Sequence, residues 1–322
     1  MNLFIDTNIF LNFYHFSNDD LKELDKLSVT IRNKDIDLYL PEQVKNEFYR
    51  NRDKKIADAL KEFERQKLEN QFPHMTKQYP EYKKMRESIK AFETCKQDLC
   101  KSLEKDIISN NLEADKLIEK LFSRGTPIPL TTKIYNSAIR RFNLGNPPGK
   151  NNSYGDAVNW ESLLSATKNN EELFIITEDG DYLSAFDKTK INSYLLSEWR
   201  QKKNSNITVY EGLSSFFRAK FPDIKLAEEQ EKNLLIENLL ASENFSKTNS
   251  ILAGLAKFPN FSRAQVNDIL LASINNPHVY WICDQQFVNQ TLHSIADRHL
   301  DSISKKTYEN FKQAFKRISV NT

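Results

Sequence analysis

The apolar and polar positions fall into short blocks near both ends of the first two-thirds of the chain. Leu3-Phe4-Ile5 is an apolar run closed by Asp6, and it predicts a short buried strand. Asp37-Leu38-Tyr39-Leu40 predicts a second. Leu173-Phe174-Ile175-Ile176-Thr177 is continuous and β-branched, as a strand covered on both faces should be. Further strands are expected at residues 193–196 and 207–210. Helix-compatible sequence follows the first strand into the mid-20s. Pro41 is expected at the first turn of a helix through Val44, Glu47 and Phe48, where its missing N–H costs nothing. Tyr154-Gly155-Asp156-Ala157 opens another helix, and residues 213–221 form one that closes the region near Pro222. Strands alternating with helices predict an α/β fold with a parallel sheet.

Two stretches break that alternation. From about residue 50 to 122 the text is rich in Lys and Glu with apolar residues at helical spacing, including Ile56, Leu60 and Phe63, then Leu99 and Leu103. This predicts two or three long helices with solvated charged faces, broken near Phe72-Pro73 and Tyr79-Pro80. With the following segment it reads as a helical insertion over about residues 50–142. Residues 124–129 read as a connection, and residues 143–155, which include Asn146-Pro147-Pro148-Gly149-Lys150, as a loop. Beyond Pro222 the pattern is helical throughout, with a break at Phe258-Pro259-Asn260-Phe261 and Ser262 as the cap of the next helix. The expected organisation is an α/β domain over 1–222 and an all-helical module over 223–322.

Composition narrows the functional classes. The 46 Lys+Arg nearly balance the 44 Asp+Glu, so a nucleic-acid surface has to come from local patches rather than bulk basicity. Cys95, Cys100 and Cys283 lack paired spacing, which argues against a disulfide framework and suits a reducing compartment. The opening residues have no secretion-signal pattern, and no apolar run reaches membrane-spanning length. A cytoplasmic protein without a membrane partner is expected. The histidines have no metal-ligand spacing, and no glycine-rich phosphate loop or nucleophile elbow appears.

The acids carry the chemistry. Asp6 ends the first strand, Glu47 lies in the next helix, Asp156 begins a later helix, and Asp179 and Asp181 follow the strongest strand. Each has an ordinary explanation when taken alone: a helix cap for Asp6, a solvated helix acid for Glu47, a dipole partner for Asp156, turn residues for Asp179 and Asp181. Together they lie where a parallel sheet gathers its strand carboxyl ends. Converging carboxylates repel one another unless a cation compensates, and a hard divalent ion such as Mg²⁺ or Mn²⁺ takes oxygen ligands of this kind. An aspartyl-nucleophile phosphatase fits less well, because Asn8 stands where its second acid is expected.

Phe4-Ile5-Asp6-Thr7-Asn8, Glu47, Gly155-Asp156-Ala157 and Ile176-Thr177-Glu178-Asp179-Gly180-Asp181-Tyr182 resemble the motifs of the PIN domain nucleases, over about residues 1–222. The resemblance implies a Rossmann-like α/β/α sandwich and Mg²⁺- or Mn²⁺-dependent hydrolysis of phosphodiesters, usually in RNA. It makes Asp6, Glu47, Asp156 and Asp179 the catalytic, metal-binding acids, with Asp181 an additional or second-sphere ligand. It gives Asn8 and Thr177 the role of holding the carboxylates by hydrogen bonds. Arg50, Arg52 and Lys150 are candidate phosphate contacts beside them. The expected function is therefore a metal-dependent endonuclease acting on RNA ahead of DNA. Compact members of the family lack the long insertion and the helical module, which are candidate sites for a protein partner or a second copy. The larger size is similar to extended bacterial PIN-like proteins, some linked to toxin or phage-defence systems. The competing expectation is a catalytically silent PIN-like scaffold that works through its helical additions.

Overall fold

The computed structural model describes residues 1–15, 19–68, 70–149 and 154–316. The chain divides into two compact units. One is built from residues 2–24 and 38–217, the other from Met1, residues 25–37 and the described residues from 218 onward.

The first unit is organised by a five-stranded parallel sheet in the order β3-β2-β1-β4-β5. Its strands are β1 (Asn2–Ile5), β2 (Asp37–Pro41), β3 (Thr126–Ile128), β4 (Leu173–Ile176) and β5 (Ile207–Tyr210). Every residue of β1 and β4 is buried, which explains why their sequences are continuous apolar runs rather than alternating ones. β1 and β4 lie side by side, with Ile5 opposite Ile176. From β1 the chain builds outward through β2 and β3, then returns to build outward through β4 and β5. The carboxyl ends of β1 and β4 thus flank a topological switch point, where open α/β sheets form their crevice.

Nine helices are described between and after these strands: α1 (Thr7–Asn12), α2 (Leu21–Arg32), α3 (Glu42–Arg65), α4 (Pro80–Ile108), α5 (Glu113–Arg124), α6 (Thr132–Asn143), α7 (Tyr154–Ala166), α8 (Ser193–Lys203) and α9 (Leu213–Lys220). Val44 and Phe48, one turn apart on α3, are buried and hold its first turns in place. α4 runs for 29 residues and buries only Ile89 and Cys100, so its charges form the solvated face that the pattern predicts.

Three local expectations are corrected. Residues 193–196 begin helix α8 rather than a strand. The Asn192 side chain accepts from the Tyr194 N–H as an N-cap, and Leu195 and Trp199, four apart, share one buried face. Residues 126–128, expected as a connection, form β3. This strand pairs with β2 at the sheet edge, where Pro127 is tolerated. A strand of the sheet therefore lies inside the stretch that reads as a helical insertion. Pro41 is the last residue of β2 and caps α3 from outside instead of occupying its first turn.

The second unit carries α10 (Leu226–Leu240), α11 (Phe245–Leu255), α12 (Arg263–Asn275), α13 (Pro277–Tyr280), α14 (Gln286–Arg298) and α15 (Lys305–Ala314). Leu239, Leu252, Ile269, Leu292 and Phe311 belong to its continuous apolar core. Ser262 opens α12 with a capping box: its hydroxyl accepts from the Gln265 N–H while the Gln265 side chain bonds back to Ser262 N–H.

Candidate functional site

Asp6 follows β1 and occupies the N-cap position of α1, yet its side chain makes no capping hydrogen bond. The carboxylate turns to the neighbouring strand end instead, where Thr177 Oγ1 donates to Asp6 Oδ2 at 2.8 Å. The sheet ladder enforces this pairing, because Asp6 N–H donates to the Ile176 carbonyl at 2.9 Å and so sets Asp6 beside Thr177. Thr177 Oγ1 also accepts the Asp179 N–H at 3.0 Å, and Asp179 Oδ1 accepts the Asp181 N–H at 2.8 Å. One hydroxyl therefore links the acids that follow the two central strands.

Two helices supply the other acids. Glu47 lies between buried Val44 and Phe48 on α3, and Thr7 Oγ1 donates to its Oε2 at 3.4 Å. Asp156 is in the first turn of α7, and the Tyr182 hydroxyl donates to its backbone carbonyl at 3.4 Å. Gly155 lets these helices approach. A Cβ at Gly155 would lie 2.9 Å from Gln43 Nε2 and 3.5 Å from Glu47 Oε2, both on α3.

The electrostatics register all four acids at one point. Asp6 is 3% exposed. Burial, and after it the charges of Asp156, Asp179 and Glu47, push its carboxyl up from 3.8 to about 7, while the Thr177 hydrogen bond pulls the other way. The buried Tyr182 phenol is raised well above its ordinary range by burial and by Asp156, Asp6, Asp179 and Glu47. Among the described residues no group of three or more His, Cys, Asp or Glu side chains is placed so that it could hold a metal ion. The acids act on one another across an open cluster. Their chemistry fits a hard divalent cation, since every donor is a carboxylate oxygen and the least solvated of them is opposed by three like charges.

The remaining candidates separate. Asp181 Oδ2 accepts the Gly149 N–H at 3.3 Å and so ties this turn to the loop before α7. Asn8 is exposed, and no side-chain hydrogen bond joins it to a carboxylate among the described residues. Thr7, rather than Asn8, hydrogen-bonds one of the four acids, a contact that sequence reasoning missed although Thr7 adjoins Asp6. Arg50 is exposed. Arg52 is not available as a phosphate contact, because it is 5% exposed and its Nε and Nη2 donate to both oxygens of Asp115 at 2.7 and 2.6 Å. Tyr14 donates to the same carboxylate at 2.5 Å. Burial would raise Asp115, but Arg52 and Tyr14 bring it below its ordinary value. Arg141 is similarly buried between Glu161 and Glu198. Lys150 lies outside the described residues.

No curated protein and no solved structure shows significant similarity to the chain. The family profile described as PIN domain matches residues 3–182, from β1 through the turn that carries Asp179, Asp181 and Tyr182. That span is more than half of the 322 residues and takes in all four acids of the cluster, and the chain belongs to the PIN domain family, whose members are generally nucleases.

Proposed function

We propose that this chain is a divalent-metal-dependent endonuclease that hydrolyses phosphodiester bonds in RNA, with Asp6, Glu47, Asp156 and Asp179 as the acids that hold Mg²⁺ or Mn²⁺. The observation that carries this is Asp6: a buried carboxyl at the sheet's switch point, facing away from the helix it could cap and subject to the charges of the three other acids. A hard divalent ion held there supplies Lewis-acid activation of a phosphate oxygen and of a water molecule.

The chain's own residues do the positioning. Thr177 orients the Asp6 carboxylate and, through the Asp179 N–H, starts the turn that presents Asp179. Thr7 steadies Glu47, and Tyr182 ties the first turn of α7 to the turn after β4. Asp181 Oδ2 holds the edge of the loop before α7 by accepting the Gly149 N–H. Among the described residues no helix is long and apolar enough to cross a membrane.

The test is to incubate the purified chain and Mn²⁺ with a mixed pool of single-stranded RNA and flap DNA, then sequence the new ends, with Asp6→Asn as the control. Ends formed in RNA by the wild type alone support the proposal. Absence of cleavage, with Mn²⁺ binding retained, would leave a silent PIN scaffold.

A further inference from the structure

Directly after the acidic turn the chain makes a closed loop whose tip is apolar. Leu183 and Ile191 pair as an isolated antiparallel bridge and are both buried. Ser184 N–H donates to the Lys190 carbonyl at 2.8 Å, and Asn192 N–H to the Tyr182 carbonyl at 2.8 Å. Inside the loop, Asp187 Oδ1 accepts both the amide and the hydroxyl of Thr189, and Lys190 pairs with Asp187 at 3.0 Å. The base of the loop is Tyr182, whose hydroxyl reaches the Asp156 carbonyl. The loop is thus a built structure standing on the candidate site.

Phe186 sits at its tip with a relative exposure of 102%, above the 84% of Ile108 and every other large apolar side chain described. The loop's own hydrogen bonds hold this ring out in solvent, which leaves its faces open for stacking. Lys188, two residues on, is exposed and has no ion pair among the described residues, unlike Lys190. Phe186 is seven residues from Asp179, so roughly 25 Å of extended chain at most separates it from the acidic edge, and the closed loop brings it nearer. A ring for stacking beside a free cation matches one nucleotide, with its base and its phosphate.

We infer that Phe186 is a stacking platform for an unpaired base of the strand entering the acidic edge, with Lys188 contacting an adjacent phosphate. The inference rests on the proposed nuclease function in one respect only, that a nucleic-acid strand approaches this edge. Double-stranded substrate would not offer the base, so the loop selects single-stranded segments. Stacking reads no sugar, and Phe186 does not discriminate RNA from DNA.

The test uses the full chain in EDTA, where cleavage is suppressed, and a fluorescein-labelled unstructured oligoribonucleotide read by anisotropy. Phe186→Ala is expected to raise Kd about 5- to 100-fold without changing Tm, and Phe186→Trp to bind like wild type with its indole emission quenched by the strand. A fully abasic strand of the same length should bind wild type and Phe186→Ala equally. Equal Kd values on the base-bearing strand would overturn the inference and point to a protein contact. Equal losses on the abasic strand, or no binding by the wild type, would overturn it too. Phe186-dependent binding without Mn²⁺-dependent cleavage would sink the nuclease proposal alone. Cleavage with Phe186-independent binding would sink this inference alone.

Discussion

The Thr177 hydroxyl donates to the Asp6 carboxylate at 2.8 Å, across the junction of the two central strands. This bond stabilises the charged form of a group whose burial favours the neutral one. A carboxyl raised in the folded state contributes stability that is complete below the unfolded value near 3.9. That stability is lost as pH rises through the folded value of about 7.

The metal-free protein should therefore lose stability between about pH 4 and pH 7, by on the order of 4 kcal/mol from this group. Thr177→Val should move the loss to higher pH, since the hydrogen bond to the charged form is gone. Asp6→Asn should flatten it. Thermal unfolding in EDTA across this range checks all three, and a wild-type curve as flat as that of Asp6→Asn would contradict the assignment of the buried charge.

Arg52 and Asp115 form a buried two-bond ion pair between α3 and α5. Arg52→Ala leaves the Asp115 carboxylate buried without its partner and should cost about 3–5 kcal/mol in urea unfolding. Replacing both with apolar residues, Arg52→Met with Asp115→Leu, should recover most of that loss. If Arg52 bound phosphate instead, Arg52→Ala would weaken RNA binding and leave stability intact.

Gly155→Ala places a methyl 2.9 Å from Gln43 Nε2, the far end of a flexible side chain. The fold should survive while Gln43 is displaced against Glu47. We expect Mn²⁺ affinity to fall about tenfold with Tm within a few degrees of wild type, and Gln43→Ala in the same chain to restore it. Titration of Mn²⁺ against the three variants measures both effects.

The central strands, and the placing of Asp6 and Asp179 at their ends, were legible because their signals are local. Residues 173–177 form an unbroken apolar run, and Asp6 and Asp179 each stand just past such a run. β3 was not legible, because it has three residues with a proline in the middle and becomes a strand only by pairing with β2. The start of α8 reads as a strand until Trp199 extends its buried face to the next turn. The burial of Arg52 depends on Asp115, 63 residues away, and no local pattern announces a partner at that distance. The role of Thr7 was masked by Asn8, the more obviously polar neighbour, and only the packing of α1 against α3 shows which side chain faces Glu47.

The most direct measurement of the central claim is the single-turnover rate of Mn²⁺-dependent RNA cleavage by wild type, Asp6→Asn and Asp156→Asn, each verified as folded by its Tm. Cleavage by the wild type, with a loss of at least about a thousandfold in both variants, is the predicted result. Undiminished metal-dependent cleavage in both variants would contradict it.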